Sequence, residues 1–410
     1  MIELLSPAGS MEKLHMAINY GANAVYFAGK QFGLRAFAGN FENDEIVEAV
    51  KLCHENNVKA YVTVNILARN SDFENLLKYI KFLENALVDG VIVADMGIIS
   101  FIRQNAPKLD VHVSTQANVL NKYCAKFLAD LGVKRIVLAR ELSLTEIKEI
   151  RAFLPSEVEL ECFVHGAMCI SYSGRCLLSS YLAGRDSNRG ACVQSCRWEY
   201  SITEKSRNGE KYDIEEDERG TYILNSKDLN MISHIRELEE AGVCSFKIEG
   251  RMKSPYYVAC VTNAYRKSID KVKENKDSKE FYDSMEKELT KTSHRKFTTA
   301  FYFGDKNKEE RASSMPIQTH EFMAVVLEDN CNGKVLVEMR NRFEKGDTLE
   351  ILSPSCIFNQ NIVVDKMETL NGEVFEVAKN VQEKFYLHTS VPLKKFDILR
   401  KELPVLAPEK

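Results

Sequence analysis

Four cysteines stand close together near the middle of the sequence and are its strongest chemical signal. Cys169, Cys176, Cys192 and Cys196 fall within 28 residues, among glycines and polar residues rather than in an apolar run. Thiolates at this density are typical ligands of a soft metal centre. The segment therefore predicts a metal site, with unliganded core or redox thiols as the alternative.

The spacing of these cysteines leaves two kinds of metal site open. Structural zinc favours pairs separated by about two to four residues, and Cys192 and Cys196 satisfy this spacing. Six residues separate Cys169 from Cys176, however. An iron–sulfur cluster tolerates that wider spacing because each of its irons takes one thiolate. A [4Fe-4S] cluster and a zinc ion are both consistent with the pattern.

Protease motifs are incomplete in this sequence. His54 and Glu55 begin the zinc-protease motif H-E-x-x-H, but Val58 occupies the position of its second histidine. The G-x-S-x-G elbow of serine hydrolases does not occur either. A nucleophilic dyad of Cys169 with His165 stays open as an alternative.

The elements that must position these residues alternate between strand and helix. Short β-branched runs recur at 2–5, 24–27, 60–64, 91–94, 111–114, 135–138, 158–164 and 245–248. Amphipathic segments of helical period lie between the first seven runs. This order predicts an α/β fold, a (β/α)8 TIM-like barrel. A doubly wound sheet is less favoured because no G-x-G-x-x-G fingerprint follows the first strand.

Active sites of this fold form at the carboxyl ends of the barrel strands. Reading off those ends predicts a ring of polar residues over an apolar barrel. The candidate catalytic residues in this ring are His165, Gln116, Lys247 and Glu249. The candidate substrate-binding residues in it are Asn65, Ser114, Asn118 and Arg251.

The periodicity changes twice along the chain and predicts three regions. Residues 1–275 form the barrel, the catalytic domain, with the Cys-rich insertion at about 166–226 and a helix expected over 228–240. Residues 276–318 are charged and read as a linker. From 319 to 405, short alternating strands separated by turns such as Asn371-Gly372 predict a small all-β barrel domain.

Composition argues against a secreted or membrane protein. Met1 is not followed by a basic and apolar leader, and the sequence lacks the roughly 18 to 20 uninterrupted apolar residues of a membrane span. We therefore expect a cytoplasmic protein, in which cysteines bind metal or are buried rather than forming disulfides. The net charge is −4, so a nucleic-acid partner would have to meet a local basic patch.

One segment carries a family signature. The residues from Glu161 to Ser179 follow the pattern E-x-F-x-x-G-A-M-C-x4-G-x-C-x-L-S. This pattern resembles the signature of the collagenase-like peptidase family of unassigned catalytic type (family U, number 32). The agreement continues at 225–229, 247–251 and 294–302, so the resemblance covers nearly the whole chain.

The resemblance implies RNA hydroxylation, because the peptidase name is historical for most of this family. The chain is similar to members implicated in prephenate-dependent formation of 5-hydroxyuridine at the wobble position of tRNA. Related members hydroxylate ribosomal RNA or quinone precursors, and some were described as collagenases. By resemblance we expect a [4Fe-4S] cluster with Cys196 as the fourth ligand, and prephenate as a possible co-substrate. The expected partners are tRNA and a redox protein.

Holding an unstacked base requires aromatic faces and cations. Aromatic candidates beside the cysteines are Tyr172 and Trp198. Further substrate-binding candidates, taken from the segments that match the family, are Asn225, Lys227, Asp228, His294 and Arg295. We expect Lys247, Arg251, His294 and Arg295 to contact phosphates. In the terminal domain, the residues expected to grip the tRNA backbone are Arg340, Arg342, Lys394, Lys395 and Arg400.

Overall fold

The computed structural model of the protein describes most of both expected domains. The described residues are 2–33, 39–168, 178–183, 185, 193, 195, 216–217, 220–221, 227–304 and 317–404. Among the helices within these ranges, none combines the length and the apolar character that crossing a bilayer requires.

Eight parallel strands form a closed barrel, which confirms the predicted fold. The barrel strands are β1 (Glu3–Pro7), β2 (Ala24–Phe27), β3 (Lys59–Val64), β4 (Gly90–Val93), β5 (Asp110–Val113), β6 (Arg135–Val137), β7 (Glu159–Ala167) and β11 (Ser245–Ile248). They pair in chain order, and β11 pairs with both β7 and β1 to close the sheet.

Helices surround the barrel and connect its strands. They are α1 (Met11–Asn19), α2 (Asn43–Glu55), α3 (Phe73–Asn85), α4 (Met96–Asn105), α5 (Lys122–Asp130), α6 (Leu144–Phe153), α8 (Ile235–Glu240) and α9 (Pro255–Lys273). A short helix, α7 (Leu178–Ala183), lies in the Cys-rich insertion, and α10 (Lys279–Leu289) follows α9.

Short polar side chains start several helices directly after the strand ends. Ser10 accepts a hydrogen bond from a backbone N–H of the first turn of α1, Asp95 does so for α4, and Ser254 does so for α9. Each cap satisfies a backbone donor that the first turn leaves without a helical partner. The caps therefore set where each helix begins at the rim of the barrel.

The insertion returns to the barrel through a strand where the sequence predicted the start of a helix. Residues Asp228–Asn230 form β10, which pairs antiparallel with the end of β7 and parallel with β12 (Phe297–Thr298). Only Ile235–Glu240 of the expected helix is α-helical, after a 3-10 turn at Ile232–His234. Strand pairing outweighs helix propensity here because β10 is buried and extends the barrel sheet beyond β7.

The interior of the barrel is charged, which corrects the expectation of an apolar barrel. Arg135 donates hydrogen bonds to carboxylates of Glu3, Glu159 and Glu161, and Lys247 Nζ lies 2.7 Å from Glu161 Oε1. Burial alone would raise the pKa of the Glu161 carboxyl, but Lys247 and Arg135 outweigh this effect and lower it. Each buried charge is therefore paired inside the barrel.

The C-terminal domain is an antiparallel, all-β half-barrel. Its main sheet contains β13 (His320–Val326), β14 (Lys334–Met339), β16 (Thr348–Leu352), β17 (Asn361–Val363), β18 (Met367–Glu368), β19 (Val374–Phe375), β21 (Lys384–His388) and β22 (Ile398–Glu402). A small second sheet pairs β15 (Phe343–Glu344) with β20 (Val377–Ala378). Two-residue strands β8 (Glu216–Asp217) and β9 (Gly220–Thr221) form a separate pair in the insertion.

A buried ion cluster joins the two domains. Arg400 of β22 is fully buried and lies 2.6 Å from Glu288 of α10, while Glu350 of β16 also contacts Arg400. Lys291 bridges Glu288 and Glu350 at 3.0 and 2.7 Å. Burial opposes ionisation of Glu288, but Arg400 and Lys291 lower its pKa to about 2. The cluster fixes α10, within the expected linker, against both domains.

Substitution of Glu288 tests this cluster. The amide of Glu288→Gln cannot neutralise the buried Arg400 and Lys291, so we expect the free energy of unfolding to fall by about 3 to 5 kcal/mol. Urea denaturation followed by circular dichroism measures this loss. The control Glu74→Gln changes an exposed carboxylate of α3 and should shift stability by less than about 0.5 kcal/mol. Equal stability of Glu288→Gln and wild type would contradict the role of the cluster.

Candidate functional site

His165 lies at the carboxyl end of β7, inside a shell of buried polar groups. Its Nδ1 lies 3.5 Å from the hydroxyl of Tyr265, which donates to the carbonyl oxygen of Val164 at 2.7 Å. The same hydroxyl lies 3.3 Å from Asn230 Oδ1. Strand β10 and helix α9 thus hold His165 in one position, and its ring is 5.6 Å from the ring of Phe297.

A second histidine stands on the other side of Phe297. The His294 ring meets Phe297 edge-on at 4.6 Å, and the neighbouring Arg295 donates its backbone N–H to Asp228 Oδ2 at 3.0 Å. The Arg295 guanidinium also lies 3.6 Å from Asp228. Three predicted substrate-binding residues are therefore brought together with predicted catalytic His165, through the pairing of β10 with β7 and β12.

Both histidines are uncharged near neutral pH. Burial lowers the pKa of His165 to about 3, and His294 and Lys253 add to this shift. Burial also lowers the pKa of His294 to about 4, although Asp228 opposes the change. A neutral imidazole can donate or accept a hydrogen bond, but at these pKa values it is a weak general base.

Predicted residues of β3 and β5 form a second polar group on the rim. Asn65 Nδ2 donates to Gln116 Oε1 at 2.8 Å, and the Ser114 hydroxyl lies 3.3 Å from the same oxygen. Asn118 ends the 3-10 turn of Gln116 in the left-handed conformation, with φ of 58°. The structure therefore brings Asn65, Ser114, Gln116 and Asn118 to one side of the barrel mouth.

Two of the three candidates at the end of the eighth barrel strand, Lys247 and Arg251, are buried. Lys247 is bound to Glu161 and lies 4.5 Å above the ring of Tyr26. This burial corrects the expectation that Lys247 and Arg251 contact RNA phosphates, and the same correction applies to His294, which is 6% exposed, because a nucleic-acid backbone cannot reach side chains this buried. Glu249 accepts a hydrogen bond at its backbone carbonyl from Tyr257, and Arg251 is 5% exposed with Nη1 3.4 Å from Thr63 Oγ1.

The Cys-rich insertion leaves and rejoins the barrel at one point on the rim. Strand β7 ends at Ala167, and Asp228 of β10 is its pairing partner. Met168 packs against the barrel core, and Lys227 is half-buried just before β10. Cys169 follows Met168 directly in the sequence, so the cysteine segment begins four residues after His165.

The described residues offer no alternative metal centre. Within them, no three or more His, Cys, Asp and Glu side chains are grouped so that they could hold a metal ion. The seven described cysteines are free. Burial raises the pKa of Cys53 and of Cys162 to about 12 each, which keeps them as thiols. A soft metal requires thiolates, so neither of these two buried thiols is a candidate donor.

Several predicted residues lie outside the described residues. They are the metal-ligand candidates Cys169, Cys176, Cys192 and Cys196, and the substrate-binding candidates Tyr172, Trp198 and Asn225. Their predicted roles stay predictions.

Sequence reasoning missed several residues that support the rim. Tyr265 of α9 and Asn230 of β10 fix His165, and Tyr302 donates its hydroxyl to the carbonyl oxygen of Phe163 at 2.7 Å. Arg140, by contrast, belongs to the predicted ring of strand-end residues, and it donates to the carbonyl oxygen of Ala167 at 3.1 Å. Tyr302 ends the last matching family segment, which was the one sequence signal for it. Tyr265 lies within an amphipathic helix and carries no such signal.

Two of the terminal-domain cations expected to contact RNA are already paired with carboxylates of the protein. Arg400 is fully buried in the interdomain cluster, which corrects its assignment as a backbone contact. Arg340 is bound between Glu12 and Glu338 at 2.7 and 2.8 Å. Arg342, Lys394 and Lys395 are exposed.

The fold and the rim define a (β/α)8-barrel protein whose candidate site is built around the end of β7. The chain belongs to peptidase family U32: the model of that family matches residues 9–312, and the model of the peptidase family U32 C-terminal domain matches residues 318–400. The family inferred from the signature at Glu161–Ser179 is thereby confirmed.

Relatives named for RNA hydroxylation resemble this chain over most of its length. A tRNA hydroxylation protein P1 of Bacillus subtilis (strain 168) is 40% identical over 381 residues, covering 92% of this chain and 89% of that protein. A tRNA hydroxylation protein P of Escherichia coli (strain K12) is 35% identical and covers 92% and 91%. A 23S rRNA 5-hydroxycytidine synthase of the same strain is 38% identical over 67% of this chain and 40% of that protein.

The neutral state of His165 predicts a pH dependence of stability. The pKa of a histidine is about 6.5 in the unfolded chain and about 3 for His165 in the folded chain. Between these values the unfolded chain binds a proton that the folded chain does not, so stability is full above pH 6.5 and falls as the pH drops towards 3. The free energy of unfolding then falls by up to about 1.4 kcal/mol for each pH unit.

His165→Asn should remove this part of the pH dependence. The variant lacks the titrating ring, so the slope of its unfolding free energy between pH 6 and pH 4.5 should be smaller by about 1.4 kcal/mol per pH unit. Urea denaturation at a series of pH values measures both slopes. Equal slopes for variant and wild type would show that His165 titrates normally in the folded protein.

Proposed function

We propose that this protein hydroxylates a nucleobase of RNA, and specifically that it supports prephenate-dependent formation of 5-hydroxyuridine at the wobble position of tRNA. The proposal places a [4Fe-4S] cluster on Cys169, Cys176, Cys192 and Cys196. It also includes a redox partner. The observation that carries the proposal is the identity of 35% to 40% with tRNA hydroxylation proteins over 92% of the chain.

The relative named for ribosomal RNA widens this support. The 5-hydroxycytidine synthase modifies RNA as its name states, and it shares 38% identity over 275 residues of this chain. Two kinds of RNA therefore occur among the named substrates of relatives, and hydroxylation of RNA is common to them. This common chemistry supports an RNA-hydroxylating enzyme as the coarser form of the proposal.

The geometry of the rim fits a cluster held by the insertion. Both ends of the insertion meet at the pair Ala167 and Asp228, beside buried and uncharged His165. Four thiolates are the usual donor set of a [4Fe-4S] cluster, and the four cysteines of the insertion supply that number. When bound, such a cluster would supply electron transfer at the barrel mouth.

The described residues would then bind and orient the base. A base must leave its stack to reach the mouth of the barrel, and it needs hydrogen-bonding groups there. Asn65, Gln116 and Ser114 present amide and hydroxyl groups on the β3 and β5 side. His165 stands on the β7 side, where its buried, neutral ring helps to hold the end of β7 in place.

The peptidase alternative receives less support from the same site. A cysteine–histidine dyad needs an imidazole that accepts a proton near neutral pH. The pKa of about 3 makes His165 a poor acceptor at that pH. An imidazole of so low a pKa is a weak general base at any pH, so we favour hydroxylation.

Metal analysis of anaerobically purified protein tests the cluster. We expect iron and acid-labile sulfide in equal amounts, about four of each per chain, and loss of both in Cys169→Ala and Cys196→Ala. Cys331→Ala is the matched control, because this cysteine is exposed in the C-terminal domain and should leave the iron content unchanged. Stoichiometric zinc without iron, or an intact cluster in Cys196→Ala, would refute the ligand set.

Nucleoside mass spectrometry tests the substrate. A bacterial strain that lacks its own U32 relatives should regain 5-hydroxyuridine in tRNA when it expresses the wild-type protein or Cys331→Ala, but not Cys169→Ala. The signal should disappear in a strain that cannot make prephenate. Recovery of 5-hydroxycytidine in 23S ribosomal RNA, with tRNA unchanged, would move the assignment to ribosomal RNA.

An accessory role is distinguished by the purified components. If the protein itself performs the reaction, purified cluster-loaded protein with prephenate should modify a tRNA transcript when dioxygen is supplied as the two-electron oxidant and oxygen source, with an anaerobic reaction run beside it. Modification that appears only after a cell extract is added would assign the chemistry to a partner, with this protein as the RNA-binding component.

A further inference from the structure

The C-terminal domain lies along helix α1, beside the mouth of the barrel. Arg340 Nη2 is 2.7 Å from Glu12 Oε1 in the first turn of α1. Further along the helix, the rings of Phe396 and His15 stack at 4.9 Å, and the Tyr20 hydroxyl donates to the carbonyl oxygen of Phe396 at 3.1 Å. Because α1 begins at the rim, these contacts run from the rim down the side of the barrel.

The first turn of α1 is directly connected to the candidate site. Lys13 Nζ donates to the carbonyl oxygen of Arg251 at 3.3 Å. Gly9, just before α1, lies so close to Arg251 that a Cβ at this position would be 2.4 Å from the same oxygen. The terminal domain therefore reaches the barrel mouth on the side of Arg251.

Exposed cations of the terminal domain stand at this junction. The loop after β14 is pinned because Arg340 donates its backbone N–H to Met323 and Asn341 donates its side chain to Phe322. The next residue, Arg342, has a side chain that is 70% exposed, and Glu344 lies 3.6 Å away with 56% exposure. An ion pair this exposed contributes little to stability, so Arg342 can readily exchange Glu344 for another anion.

Two lysines near α1 add further positive charge to this part of the terminal domain. Lys394 and Lys395 are exposed, and Lys395 Nζ lies 5.0 Å from the centre of the Phe396 ring that stacks on α1. Two acidic groups lie beside them: Asp329 accepts the backbone N–H of Lys395, and Asp397 accepts that of Lys394. Phe322 accepts the hydrogen bond of Asn341, next to Arg342, and Val326 accepts that of Phe396, next to Lys395. These two anchor points are four residues apart on β13, which corresponds to about 13 Å along the strand.

We propose that Arg342, Lys394 and Lys395, here called the seam surface, bind the phosphate backbone of the RNA whose base enters the barrel mouth. This inference rests on the proposed function, because it takes the substrate to be RNA. Several exposed cations along one domain junction suit a chain of phosphates better than a single small anion. The chain as a whole has a net charge of −4, so RNA affinity must concentrate on such a local surface.

Binding of a tRNA transcript over a range of salt concentrations tests the seam surface. For the double variant Arg342→Ala/Lys395→Ala, each lost phosphate contact should weaken binding about threefold to tenfold and reduce the slope of log Kd against log salt by about one. The control Lys148→Ala removes an exposed lysine of α6 that contributes to neither domain junction, and it should bind like wild type. Fluorescence anisotropy gives both quantities, and urea midpoints confirm that the exposed substitutions leave the fold intact.

The outcomes separate this inference from the proposed function. If the wild-type protein binds tRNA and the double variant shows the same Kd and salt slope, the seam surface is not the RNA contact, while the proposed function stands. If the wild-type protein does not bind tRNA at all, tRNA is refuted as the substrate. Displacement of the tRNA by poly-glutamate at equal charge concentration would assign the surface to an acidic protein instead.

Discussion

Glu161 neutralises two buried cations inside the barrel, and the closed sheet depends on this pairing. Its carboxylate on β7 contacts Arg135 of β6 and Lys247 of β11, and Arg135 also binds Glu3 of β1. These strands lie on both sides of the point where the sheet closes. An unpaired charge at this depth would be strongly destabilising. The ion pairs therefore couple barrel closure to the position of β7, the strand that carries His165 and begins the cysteine segment.

The polar shell of the rim follows from two strands added outside the barrel. Strand β10 pairs with β7, and β12 pairs with β10, so Asp228, His294 and Phe297 reach the same side of the mouth as His165. These groups exclude water from the two imidazoles, which lowers both pKa values. A dry site with neutral hydrogen-bonding groups suits the placement of a base for redox chemistry better than acid–base cleavage of a peptide.

The sequence predicted the barrel well because strand and helix periods differ clearly along the first 250 residues. It also pointed to His165, Gln116 and Asn65, because each follows the end of a barrel strand. Periodicity could not reveal the charged interior of the barrel. In the sequence, Glu161 interrupts an apolar run, and only its partners on other strands explain why it is buried. The same limit applies to Asp228, whose strand conformation depends on pairing with distant β7 and β12.

Arg400 illustrates why exposure is difficult to infer for a charged residue in a small domain. From sequence it belongs to a basic set that suits RNA, yet it is fully buried against Glu288 of α10. Buried Arg400 does not contact RNA, but its burial affects RNA binding indirectly. Because the ion cluster fixes the half-barrel against α10, and Arg400 Nη1 lies 3.8 Å from Cys260 Sγ of α9, the seam surface has a defined position relative to the barrel mouth. An RNA bound at both places would therefore meet a preorganised surface, and its association would not require the domains to be ordered first.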